Sequence, residues 1–227
     1  MILDPNDKYD KQTIDLIKES GFKSSKSGFH KTLISQAKRS NKRANYASNS
    51  KMIDIESGET ISTILCCAAA CESAISEFIE HYIFSSGQLP KKLIEIRNER
   101  NALIQWKLLL KFQESELVLS ASKEYSNLDC LLKLRDSIAH RNSRLLKIGD
   151  FPVKLFPCIK NKTIPIDNDR GVDWTDLILT NQVSDWAIKT TNDWFKLTEN
   201  GLNRQIGCSD ALQSFIFIVL QQIKCYE

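Results

Sequence analysis

An all-α fold is what this 227-residue chain predicts, and three observations lead there. Apolar residues in its longer segments recur at three- and four-residue spacing, the period of an amphipathic helix. Only 8 Gly and 5 Pro are present, too few for the many tight turns of a β fold. At 42% hydrophobic and 26% charged residues the composition is that of an ordinary globular protein, long enough to bury a full core.

Residues 1–50 are polar and rich in Ser, Asn and Lys, and amphipathic stretches at 11–20 and 31–42 predict weak helices joined by flexible loops. Residues 20–53 contain Lys23, Lys26, Lys31, Lys38, Arg39, Lys42, Arg43 and Lys51 and no acid, in a chain whose net charge is only +3. Such a segment is either a solvated leader or an arm for a polyanion, with Lys38-Arg39 and Lys42-Arg43 lining one helical face towards phosphates. Small polar residues at Ser57-Gly58-Glu59-Thr60 offer oxygens to the free amides of a following helix. They divide the chain into a basic, partly flexible leader, 1–56, and a helical domain, 57–227.

Within that domain, Ile61, Ile64, Leu65, Ala68, Cys71, Ile75, Phe78, Ile79 and Tyr82 follow helical spacing, so 61–84 reads as a core helix. Ser85-Ser86-Gly87 stops it, and Pro90 suits the first turn of the next element. Residues 93–112 continue helically with a break near Arg97-Asn98-Glu99-Arg100, burying Leu103, Trp106, Leu109 and Leu110. Ser126 and Asp129 have capping-box spacing for a helix running from 128 to 146. Residues 149–171 hold three of the five prolines, and 153–159 and 163–166 are spaced to pair as a small β-hairpin or loop insert. Then 181–197 is helical, with Val183, Trp186, Ala187, Trp194 and Leu197 inward, and Ser209 caps a last apolar stripe from Leu212 to Ile223. Trp174 also reads as core.

The first residues contain no apolar h-region, and the uninterrupted apolar runs, 64–71 and 215–220, fall short of the roughly 18 residues of a membrane span. A soluble, cytoplasmic protein without membrane contact is the expectation. Among the 7 cysteines, Cys66, Cys67 and Cys71 lie on one helix without metal-ligand spacing, and they read as buried thiols in a reducing compartment. His30 and His81 read as surface residues. No metal or other cofactor is expected.

The segment Arg135-Asp136-Ser137-Ile138-Ala139-His140 gathers a guanidinium, a carboxylate and an imidazole within six residues. An imidazole moves protons near neutrality and a guanidinium stabilises charge on phosphorus. On a helix Asp136 and His140 are one turn apart and can meet, whereas Arg135 and His140 flank a face, about 140° and about 7.5 Å apart. One such helix is a poor phosphate site; two at a two-fold axis would surround a phosphate with two of each group. The bland alternative is that Arg135 pairs with Asp136 or Glu72 while His140 bonds to backbone or solvent.

A long helix containing Ala70-Cys71-Glu72-Ser73-Ala74, then Trp106-Lys107-Leu108-Leu109, then Leu134-Arg135-Asp136-Ser137-Ile138-Ala139-His140-Arg141, resembles the HEPN superfamily. That family's signature is arginine, a polar residue, three variable residues and histidine, and the likeness covers about residues 60–200. The resemblance implies a bundle of four to five helices, a homodimer through the motif helix, and a metal-independent endoribonuclease. In it Arg135 and His140 match the catalytic pair, Asp136 the polar position, more often asparagine, and Glu72 and Arg141 supporting positions. It implies RNA as substrate and a toxin or phage-defence setting with a cognate antitoxin or defence partner. Some members are instead non-catalytic interaction or nucleotide-binding modules. A regulator binding nucleic acid through its basic leader is a third reading.

Overall fold

Residues 28–86, 91–112, 122–140 and 150–205 are described by the computed structural model, and among them all regular secondary structure is α-helical. The chain order is α1 (Phe29–Asn49), α2 (Ile53–Ser86), α3 (Lys91–Asn98), α4 (Ala102–Phe112), α5 (Lys123–Ala139), α6 (Phe156–Lys160), α7 (Trp174–Ile178) and α8 (Asn181–Gln205). The 34-residue α2, about 50 Å long at 1.5 Å per residue, is the axis of the bundle. It packs most extensively on α1, then on α8, and also touches α3, α4 and α5.

Helix α1 lies close against α2 because its inward face is small: Ala37, Ala44 and Ala47 are wholly buried beside Ile34 and Ser40. It is one continuous helix through a stretch that reads as weak and flexible in sequence; residues 1–27 lie outside the described residues. The turn into α2 closes with Met52 N–H donating to Ala47 O at 2.8 Å and Lys51 N–H to Ser48 O at 3.0 Å. This pair of bonds places Lys51 in the left-handed region at φ 59°. The same two bonds recur after α6, from Thr163 to Cys158 and from Lys162 to Ile159, with Lys162 at φ 51°.

Helix α2 therefore starts at Ile53, four residues before the expected cap, because the turn and not a polar side chain ends the preceding helix. Its stretch Ile53–Glu80 is long and apolar enough to cross a membrane by length and composition, with polar residues interrupting the runs, and half of the window is buried inside the protein. Ile64, Cys67, Ala68, Cys71, Ile75, Phe78 and Ile79 form the centre of the core.

The break between α3 and α4 falls where expected. Asn101 Oδ1 caps α4 by accepting from the amides of Leu103 and Ile104, and Gln105 Nε2 donates to the carbonyls of Ile96 and Glu99. Trp106 of α4 donates Nε1 to Cys71 O and meets Trp194 of α8 edge-on, ring centres 5.2 Å apart. Trp174 and Trp194 are core residues as expected, and Trp186 packs at its margin.

Two features of 122–173 differ from expectation. The cap of α5 is Ser122, accepting from Tyr125 N–H at 3.1 Å, so Ser126 lies inside the helix. The insert contains no hairpin: Val153 is 86% exposed, and Phe156 to Lys160 forms a short helix with Pro157 in its first turn. The reason is chemical, since Pro152, Pro157 and Pro165 lack the amide donors that a strand ladder needs, whereas Pro157 suits a helix start. Leu155, Cys158 and Ile164 anchor the insert in the core. Cys130 of α5 and Cys158 of α6 form a disulfide, Cα–Cα 5.8 Å, a pairing that the sequence reading of a reducing compartment did not include.

Candidate active site

The motif sits at the end of α5. Leu128, Leu131 and Leu134 bury one side of that helix, which turns Arg135 and Asp136 towards the half-exposed margin beside α2. Arg135 Nη2 bonds to Glu72 Oε1 of α2, and its Nε lies 3.0 Å from Asp136 Oδ1 as an ion-pair contact. The Trp106 bond to Cys71 O holds the α2 backbone next to Glu72. All three charged side chains are about one-third exposed, with Arg135 the least.

The expected helix to residue 146 ends earlier among the described residues: α5 stops at Ala139 and His140 is its C-cap, with φ −111° and its N–H donating to Asp136 O at 2.9 Å. A residue leaving helical geometry no longer points its side chain one turn back, so the expected meeting of Asp136 with the His140 imidazole does not occur. The imidazole is exposed and has no hydrogen-bond or ion-pair partner among the described residues. The structure thus joins Arg135, Asp136 and Glu72 and leaves His140 open at the helix end. Arg141 lies outside the described residues.

Of the basic residues singled out on α1, Lys38 is half-exposed and Arg39 and Lys42 are exposed. Arg43 is committed elsewhere: its Nε and Nη2 donate to the two Glu59 carboxylate oxygens at 2.6 and 3.0 Å, which raises its pKa above the ordinary guanidinium value.

His30 corrects the surface reading, being 1% exposed. Its N–H donates to Glu77 Oε1 at 2.8 Å and its Nδ1 lies 2.6 Å from Oε2, so a carboxylate of α2 caps the start of α1. A Cβ at Gly28 would fall 1.9 Å from that Oε2, which is why the chain passes here with glycine. Burial works to raise the Glu77 carboxyl, and the two bonds from His30 with the nearby charges outweigh it, leaving Glu77 below its ordinary value. Desolvation pulls the neighbouring Lys31 ammonium below its ordinary value, opposed by the charge of Glu77. The side chain of His81 is outside what the structure describes.

Sequence reading also missed Glu56. Its side chain is completely buried, Oε2 accepts from Arg170 Nη2, and Oε1 accepts from Asn181 N–H at 2.7 Å, which caps α8. Only the acid-rich start of α2 hinted at this; both partners lie more than a hundred residues away.

Cys66, Cys67 and Cys71 are thiols, and burial pushes Cys67 up to about 12 and raises the other two as well. Among the described residues no group of three His, Cys, Asp or Glu side chains is placed to hold a metal. Compared with known proteins, the chain matches no family model, no curated protein and no solved structure.

Proposed function

We propose that the chain is an endoribonuclease of the HEPN type that cleaves RNA without a metal and works as a homodimer through α5. The observation that carries the reading is the bond from Arg135 to Glu72 across two helices, with His140 open at the end of the same helix. It joins the arginine of the motif to the one acid of α2 that the HEPN resemblance singles out.

In this reading His140 takes the proton of a ribose 2′-hydroxyl, the 2′-oxygen attacks phosphorus, and the bond to the 5′-oxygen breaks as that oxygen gains a proton. The products are a 2′,3′-cyclic phosphate and a 5′-hydroxyl. Arg135 stabilises the charge that builds on the non-bridging oxygens. To do so it exchanges carboxylate for phosphate, and ion pairs this exposed are worth only about 0–1 kcal/mol, less than a charge-assisted bidentate bond to phosphate. One protomer supplies one imidazole, so the second acid–base group comes from the partner copy.

A second reading, a non-catalytic dimeric interaction or nucleotide-binding module, is favoured by the engagement of one guanidinium by two carboxylates, Glu72 and Asp136. Single-turnover cleavage of mixed RNA by wild type and by His140→Ala separates the two: the enzyme requires the imidazole, and the module cleaves nothing in either form.

A further inference from the structure

The outward face of α1 carries chemistry that the motif does not use. Lys38 and Arg39 are adjacent and Lys42 and Tyr46 follow at three- and four-residue steps, so all four fall within an arc of about 100° and a length of about 12 Å. Tyr46 is 69% exposed, an unusual setting for a ring whose body is apolar. No Asp or Glu occurs from residue 28 to residue 52.

The acids that approach α1 from packed elements are already engaged. Glu59 of α2 holds Arg43, Glu77 of α2 holds His30, and Asp185 of α8 accepts from the side-chain amides of Asn41 and Asn45 at 2.9 and 3.1 Å. Lys38, Arg39 and Lys42 consequently have no ion-pair partner among the described residues. Three cations without an ion-pair partner among the described residues, beside an exposed aromatic ring, form the combination that tracks a phosphate backbone and stacks an unpaired base.

We infer that this stripe of α1 binds single-stranded RNA, with Lys38, Arg39 and Lys42 on successive phosphates and Tyr46 stacked on a base. The inference takes its ligand from the proposed function. A duplex fits poorly, because its bases are already stacked and a convex helix offers only one line of charge. The stripe is separate from the cleavage chemistry. Thr63 of α2, whose hydroxyl bonds to Ala37 O beside the stripe, lies nine residues from Glu72, about 13 Å along the helix. The stripe therefore holds a flank of the substrate and acts on KM, leaving kcat on saturating RNA unchanged.

The test is fluorescence anisotropy of a labelled single-stranded RNA with the full chain carrying His140→Ala, so that binding is read without cleavage. Tyr46→Ala should weaken binding roughly 5- to 150-fold, the range of one lost base stack, while Tyr46→Phe keeps it. Neutralising Lys38, Arg39 and Lys42 together to Gln should lower the slope of log K against log salt by about 2. Equal binding by Tyr46→Ala, equal affinity for a duplex of the same sequence, or capture of anionic lipid vesicles in place of RNA would each overturn it. Binding that depends on Tyr46 with no cleavage by wild type would sink the endonuclease and leave the stripe standing. Cleavage by wild type with binding indifferent to Tyr46 would do the reverse.

Discussion

Arg135 and Glu72 are 63 positions apart in the chain and joined by a direct bond, while Arg135 and His140, five apart on the motif, share no hydrogen bond. In the proposed reaction this arrangement would separate charge stabilisation from proton transfer. His140→Ala and Arg135→Ala should each reduce RNA cleavage at least 100-fold with helical content intact, because neither side chain is a core residue. Glu72→Gln frees the guanidinium and should leave substantial cleavage. Activity should persist in excess chelator and vanish on RNA carrying a 2′-deoxy sugar at the cut. Cleavage of the deoxy substrate would overturn the 2′-hydroxyl as nucleophile.

Arg170→Met should destabilise the protein by about 3–5 kcal/mol, since it strands the buried Glu56 carboxylate with only the Asn181 amide for support. Adding Glu56→Gln in the same chain removes the stranded charge and should recover most of that loss. Urea denaturation of the two single variants and the double measures the coupling, and additive losses would contradict it.

Acid should weaken the join between α1 and α2. The folded-state pKa of Glu77 is depressed below 4.5, so its contribution is fully present above that value and is lost as pH falls through the depressed one. Glu77→Gln should be less stable than wild type near neutral pH and show a shallower loss of stability below about pH 4.5. Urea midpoints across that range decide it, and parallel curves for the two proteins would contradict the depressed carboxyl.

Lys51→Gly should stabilise the chain by about 0.5–1 kcal/mol, because the left-handed conformation at φ 59° carries a Cβ penalty that glycine lacks. Lys51→Val should destabilise it, since branching at Cβ aggravates the same clash. Thermal unfolding of both variants would show shifts of opposite sign.

Native protein should leave Cys67 and Cys71 unmodified by iodoacetamide at about pH 8, because only the thiolate reacts and burial holds both thiols protonated there. Peptide mapping after mild alkylation should also recover Cys130 joined to Cys158. Prior reduction should lower stability by about 2–4 kcal/mol. Alkylation of Cys67 at the rate of a denatured control would contradict its burial.

The helices that carry an internal apolar period were legible from sequence: the core stretch of α2 around Ile64 to Ile79, the α3–α4 break, and the inward face of α8. What escaped depends on partners far along the chain. His30 is buried because Glu77 arrives 47 residues later, and nothing local to Gly28-Phe29-His30 announces it. The insert misled because alternating residues such as Val153 and Leu155 satisfy a strand pattern and a short helix alike. At the candidate site the residue types and the Arg135–Glu72 pairing were within reach of sequence. The early end of α5 was not, since the helix stops without a glycine or proline to mark it.

The carboxylates of α2 also set a timetable for synthesis. Once residue 86 has left the ribosome, α1 and α2 can pair through their short turn and complete the bonds of Glu59 and Glu77. Glu56 and Thr60 must wait for Asn181 N–H and Thr180 O, 125 and 120 residues further on. At 5–20 residues per second that interval is roughly 6 to 25 s, during which the apolar side of α2 that α8 covers stays open to other chains. A nascent chain stalled before residue 180 should accordingly be more exposed to aggregation than one stalled after α8 has emerged.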